Sequence, residues 1–204
     1  MKKDFSIYEF AGILVPSIFF LFFLNLLLQF KYNINLFEFS ELGEALIFIL
    51  ISYGLGHLLQ GIGNVFEKIV WVIVGGMPTK WLTVKPRFKM KLFDEFEHEK
   101  IRQKVFDDFG KKKGKDYGML VFTKINSKDL ADRATIFNSY YSLFRGLSVV
   151  SIILFFVTVF FCYFSYSLIP IFIIVLSISR MIRFGKHYAK EVYRVYYMNF
   201  NEKE

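Results

Sequence analysis

One stretch of this chain, Gly146 to Ser179, carries no charged residue at all. Wholly helical it would extend about 51 Å, against roughly 30 Å of hydrocarbon in a bilayer, so it is too long for a single crossing. It is expected to fold as a hairpin of two membrane helices. The break is placed at Tyr163 to Pro170, where Ser and Pro favour a turn and tyrosines suit the headgroup layer. Each arm then borrows residues at its basic end, back past Arg145 and forward past Arg180 to Arg183, whose long side chains can snorkel.

Two further runs meet the length requirement. Phe10 to Phe30 is uncharged and interrupted only by Pro16, Ser17, Asn25 and Gln29. It runs too long for a signal peptide and lacks a small-x-small cleavage site after it, so Lys2 and Lys3 introduce an uncleaved first span. Ala45 to Phe66 starts apolar and is then dotted with Tyr53, His57, Gln60 and Asn64. The fold class expected is an all-α membrane protein: four transmembrane helices with a mostly helical cytosolic domain inserted between helices 2 and 3. The division is 1–66 (first hairpin), 67–140 (basic domain), 141–185 (second hairpin) and 186–204 (basic amphipathic tail helix).

Topology follows from the cations. Two Lys precede Phe10, one lies in the loop to Glu44, seventeen Lys and Arg fall from Glu67 to Arg145 inclusive, none in the hairpin turn, and six from Arg180 on. The positive-inside rule puts both termini and the central segment in the cytosol of a bacterial-type inner membrane. Glu38, Glu41 and Glu44 in the external loop agree. The net charge of +8 would raise nucleic acid as a partner in a soluble chain, but anionic headgroups compete for the same cations, and nucleic acid is disfavoured.

Within the basic segment, Ile69 to Met77 is too short to span and is expected beneath the bundle or in the interface, ended by Gly75, Gly76 and Pro78. Trp81 to Phe88 reads as irregular or strand-like. Phe93 to Phe109 reads as an amphipathic helix, Gly110 to Lys115 as a basic loop and Met119 to Ile125 as a short strand. Asn126 or Ser127 is expected to cap a helix that starts near Lys128 and runs unbroken into the third span.

The most informative constellation is Tyr53, His57, Gln60, Asn64 and Glu67, spaced four, three, four and three, on one stripe of the second span. Polar groups in a bilayer must pair or meet water. The stripe therefore holds helices together, or lines a pore between subunits. Gly54, Gly56, Gly61 and Gly63 around it permit close helix approach. A second group, Arg145, Arg180, Arg183, Lys186, Lys190 and Arg194, is expected to contact anionic lipid headgroups or an anionic ligand. Tyr193, Tyr196 and Tyr197 would stack on bases if that ligand were a nucleotide. A third, Asp132, Arg133, Asn138, Tyr140, Tyr141 and Arg145, feeds the third span, with Arg145 either a snorkelling anchor or part of a gating ion pair.

Enzyme patterns are set aside. Gly110 to Asp116 is one residue short of a phosphate loop and has Asp116 where Ser or Thr would bind metal. Arg180 and His187 have the spacing of HEPN-type ribonucleases but stand as one isolated pair. His57, His98 and His187 are too dispersed for zinc, no nucleophile triad is legible, and Cys162, the lone cysteine, reads as a small buried hydrophobe. No metal and no cofactor is expected. The organisation is similar to that of membrane effectors in anti-phage defence modules, a likeness of architecture. It implies a non-enzymatic homo-oligomer that senses a signal or cytosolic protein partner and acts on the membrane as a pore. The alternative is a non-conducting anchor or scaffold.

Overall fold

The computed structural model describes residues 6–37, 41–88, 90–112, 114–161 and 164–200, with the side chains of Phe164 and Ser165 left aside. The readings of Lys2, Lys3, Glu38, Lys113, Cys162 and Tyr163 fall outside these residues. Among the described residues there is no strand; six helices carry the fold. They are α1 (Tyr8–Tyr32), α2 (Leu42–Val74), α3 (Glu95–Phe109), α4 (Gly118–Asn126), α5 (Asp132–Phe160) and α6 (Phe164–Asn199). Four of these, α1, α2, α5 and α6, are long and apolar enough to cross a membrane.

α2 departs from expectation by its length. Ile69 to Val74 is no separate interfacial piece but the last turns of a single 33-residue helix. Nothing between Asn64 and Val74 breaks a helix, and termination waits for Gly75 and Gly76 at φ 99° and 102°, whose N–H groups both return to the Trp71 carbonyl. The final hairpin also breaks earlier than expected. α5 ends at Phe160 and α6 starts at Phe164, so Pro170 lies inside α6. A proline removes one backbone donor, which is tolerated in membrane-type helices where neighbouring groups re-satisfy the ladder.

The chain forms two compact units. One comprises residues up to Glu67 with Ser139–Met181; the other is Lys68–Asn138 with residues from Ile182 on. The first unit is a helical bundle around Leu59, Val149, Val150 and Leu154, with Phe19, Phe20, Phe23, Leu55, Phe66 and Ile153 packed against them. Its outer faces are hydrocarbon: Leu50, Leu58, Phe156, Phe160, Phe172 and Val175 are all exposed. In water such a surface would be unfavourable, at about 25 cal/mol per Å² of apolar area; in lipid it is the matching surface.

The second unit packs around a core of its own, with Ile101, Val105, Val121 and Ile125 fully buried. α3 is capped by Asp94, whose carboxylate accepts from the Glu97 N–H at 2.8 Å, and buries Ile101 and Val105. Met119 to Ile125 is helix rather than strand. α4 buries Gly118, Val121 and Ile125, a helical spacing. The following helix begins at Asp132 and not near Lys128. The chain first makes a closing turn, with Asp129 left-handed at φ 56° and the Leu130 N–H returned to the Ile125 carbonyl. The end of α6 belongs to this core. Val192, Tyr193 and Tyr196 are wholly buried, the Tyr193 hydroxyl donates to the Thr79 carbonyl and the Tyr196 hydroxyl to Asp108.

Candidate functional site

Proline chemistry near the start of α1 opens the site. The turns from Tyr8 to Leu14 wind as a π-helix, with the Val15 N–H bonded to the Phe10 carbonyl five residues back. In an α-helical ladder the Gly12 carbonyl would accept from residue 16, but that residue is Pro16 and has no N–H. The donor is supplied from α2, where the Gln60 Nε2 donates to the Gly12 carbonyl. The other end of the same amide accepts from the Arg145 guanidinium of α5, so Gln60 ties three helices at one point.

Arg145 also reaches a residue two turns further along α2. Its Nη1 stands 2.5 Å from Glu67 Oε2, and that oxygen accepts a second bond, 2.7 Å, from the Tyr141 hydroxyl. The Arg145 side chain is only 8% exposed and that of Glu67 16%, so the pair is shielded from its surroundings. A charge pair withdrawn from water is tolerable only with this density of hydrogen bonds. Among the described residues, Arg145 Nε and the Ser142 hydroxyl have no protein partner.

Missing side chains let the helices approach. A Cβ on Gly56 would run into the backbone of Ile13, and one on Gly63 would lie 3.3 Å from the Arg145 side chain. Gly54 and Gly61 are different, with nothing within 4 Å of where a Cβ would stand.

The five-residue stripe is therefore divided. Gln60 and Glu67 are engaged inside the chain, while His57 and Asn64 are exposed, as are Gly54 and Gly61 beside them. Tyr53 is half-buried and meets the His57 ring edge-on at 4.8 Å between centroids. The reason is angular: at 100° per residue, successive steps of four and three leave His57 and Asn64 some 40–60° from Gln60, enough to carry them round the rim of the packed face.

The cationic group divides too. Arg145 is not a snorkelling anchor; it is the buried member of an ion pair. Arg194 gives both Nε and Nη2 to Glu97 Oε1, at 3.0 and 2.8 Å. Arg180 and Arg183 are exposed, Lys186 and Lys190 half-buried. Tyr193 and Tyr196 are buried, so they present no face on which a base can stack. Arg133 pairs with Glu191 at 3.6 Å, and Tyr141 joins Arg145 on the Glu67 carboxylate. Sequence reasoning missed Gly12, whose carbonyl matters because of Pro16, and Ser142.

His98 and Asp108 are among the groups of the basic unit that titrate away from their usual values. Burial holds the His98 imidazole below the ordinary histidine range, and Arg102 adds to this. Burial alone would raise the Asp108 carboxyl, but hydrogen bonds from Tyr196, Lys104 and Lys124 outweigh it and hold it low. No group of three or more His, Cys, Asp or Glu able to hold a metal occurs among the described residues.

Four apolar helices with hydrocarbon outer faces and a buried polar knot define a class: an all-helical protein of membrane character. Comparison with protein-family models, with characterised proteins and with solved structures finds no match for this chain.

Proposed function

We propose that this chain is a non-enzymatic, homo-oligomeric protein of a bacterial-type inner membrane, with both termini and the basic segment 67–140 in the cytosol. The basic segment receives a signal or a protein partner, and the bundle responds by opening an ion path. The observation that carries this reading is the exposure of His57 and Asn64 on α2, interleaved with Gly54 and Gly61. His57 lies ten residues, or about 15 Å, from Glu67 along the helix, which is hydrocarbon depth for the 45–66 span. An imidazole there is unfavourable against lipid, so it needs a protein or water partner. Glycines at positions 54 and 61 let the same face of a second copy approach, and a ring of copies would turn the two polar positions toward one axis. The helix from Asp132 to Phe160 is continuous, and in this reading it is the element through which a signal passes.

Conductance of the purified protein in planar bilayers or liposomes tests it. The expected result is an ion flux that falls at least tenfold in His57→Ala and Asn64→Ala, while Gln60→Leu acts chiefly on stability. Absence of flux under every ligand, with monomeric particles in detergent, removes the reading.

The second reading, a non-conducting anchor or scaffold for a cytosolic partner, is favoured by one observation: Gln60 and Glu67 are satisfied within the chain, as structural polar residues are. It expects His57→Ala to leave membrane permeability unchanged.

A further inference from the structure

α6 is uncharged from its first residue to Ser179 and then places Arg183, Lys186, His187 and Lys190 on one face within two turns. Several cations elsewhere in the same unit have carboxylate partners, among them Arg194 with Glu97, Arg133 with Glu191, and Lys104 and Lys124 with Asp108. Arg183, Lys186 and Lys190 pair with no carboxylate among the described residues, and the Lys190 ammonium lies 5.8 Å from the centre of the Phe93 ring. The charges bearing on His187 are those same three, all positive. The imidazole is held in place by rings, stacked on Phe137 of α5 at 5.4 Å and tilted against Phe184 at 6.3 Å. Arg133 of α5 lies 5.9 Å from the centre of the Phe137 ring and is itself paired with Glu191, at 3.6 Å.

A face whose three cations have no carboxylate partner, beside an aromatic shelf and following the uncharged part of the same helix, has the chemistry of a lipid headgroup seat; the one carboxylate near the shelf, Glu191, is taken up by Arg133. We propose that Arg183, Lys186, His187 and Lys190 hold the phosphate of an anionic phospholipid, with Phe137 and Phe184 against its glycerol and upper acyl carbons. Of the six cations expected from sequence to meet anionic ligands, Arg145 and Arg194 are taken up by their own carboxylates and Arg180 belongs to the other unit, which leaves Arg183, Lys186 and Lys190, to which His187 is added. The inference rests on the membrane placement proposed above and is independent of whether the bundle conducts.

The test uses the full chain in nanodiscs of phosphatidylcholine doped with phosphatidylglycerol or cardiolipin, with lipid retention after extraction read by native mass spectrometry. A juxtamembrane cation contributes about 1 kcal/mol toward an anionic surface, which is about a fivefold change in affinity. Arg183→Gln, Lys186→Gln or Lys190→Gln is therefore expected to weaken anionic-lipid retention about fivefold each, and the triple variant more than tenfold. Lys85→Gln/Lys111→Gln/Lys112→Gln removes the same charge from exposed positions of the basic segment and is expected to change retention less than twofold. Lys186→Arg with Lys190→Arg keeps the charge and is expected to retain binding, which separates lost charge from lost folding. Equal losses in the two triple variants would reduce the effect to net charge and overturn the site. Displacement of the lipid by millimolar inorganic phosphate would reassign it to a free anion and overturn the lipid proposal. Recovery of the chain in a soluble fraction without detergent would instead overturn the membrane placement, before any lipid is measured.

Discussion

Arg145 is the residue on which the bundle's polar chemistry converges, and its energetics are asymmetric. With Glu67, Gln60 and the Tyr141 ring all directed at it, the guanidinium is compensated in place. Arg145→Met leaves the Glu67 carboxylate shielded and without its cation, a loss of about 3–5 kcal/mol for breaking one side of a buried pair. The double variant Arg145→Met/Glu67→Met removes both charges and is expected to recover most of that loss. Thermal unfolding in detergent measures both; a double variant no more stable than the single one would show that the pair is not the source. His98 makes a prediction of opposite kind, in water. Its folded value lies below the ordinary 6.5, so below that pH the unfolded chain binds a proton that the folded chain refuses. Stability is therefore complete above about pH 6.5 and falls as pH drops toward the folded value. Asp108, also held below its ordinary value, acts in the same sense at lower pH: its contribution is complete above about pH 3.8 and is lost as the pH falls from there through its folded value. Melting curves between pH 7.5 and 5 should decline for the wild type and flatten in His98→Asn.

At the scale of elements, the four long helices were legible because length and hydropathy leave no other structure for an uncharged run of that size. Met119 to Ile125 was not, since a short apolar run of Val, Phe, Thr and Ile satisfies either period, and only the burial of Gly118, Val121 and Ile125 decides for helix. Pro170 misled for a related reason: a proline six residues into a lipid-facing helix costs one backbone donor and does not impose a turn. The stripe on α2 was visible as a spacing, but its division was not. Which members pair depends on a carbonyl freed by Pro16 in another helix, and that no periodicity within α2 can report. The glycines make the division measurable. Gly56→Val forces a side chain into the Ile13 backbone and is expected to destabilise the folded chain by at least 1–3 kcal/mol. Gly54→Val and Gly61→Val meet nothing within the chain and should leave the protomer's melting unchanged while lowering the mass of the detergent-solubilised particle, if copies meet there. Equal melting losses at all three positions would mean that no face of α2 is reserved for a second copy.

For the whole molecule the decisive quantity is the parity of crossings. Four helices can span, and the chain's cations are concentrated after the second and after the fourth. In the proposed arrangement an even count returns the carboxyl end to the side of the amino end, and the sixteen Lys and Arg between Glu67 and Arg145 favour that same side for the basic segment. A bent α6 that failed to cross would leave three spans and put the six cations from Arg180 on the opposite face, against the charge rule. The two arrangements differ at positions that can be labelled. In a Cys162→Ser background, single cysteines at Asn35 in the α1–α2 connection, at Lys112 in the basic segment and at Asn199 near the end of α6 are treated in intact cells with a membrane-impermeant maleimide. Four crossings predict modification at position 35 alone, with 112 and 199 reacting only after the membrane is opened. Labelling at 199 in intact cells would leave α6 lying along the membrane, and would take with it both the cytosolic tail and the argument that Arg183, Lys186 and Lys190 meet the inner leaflet.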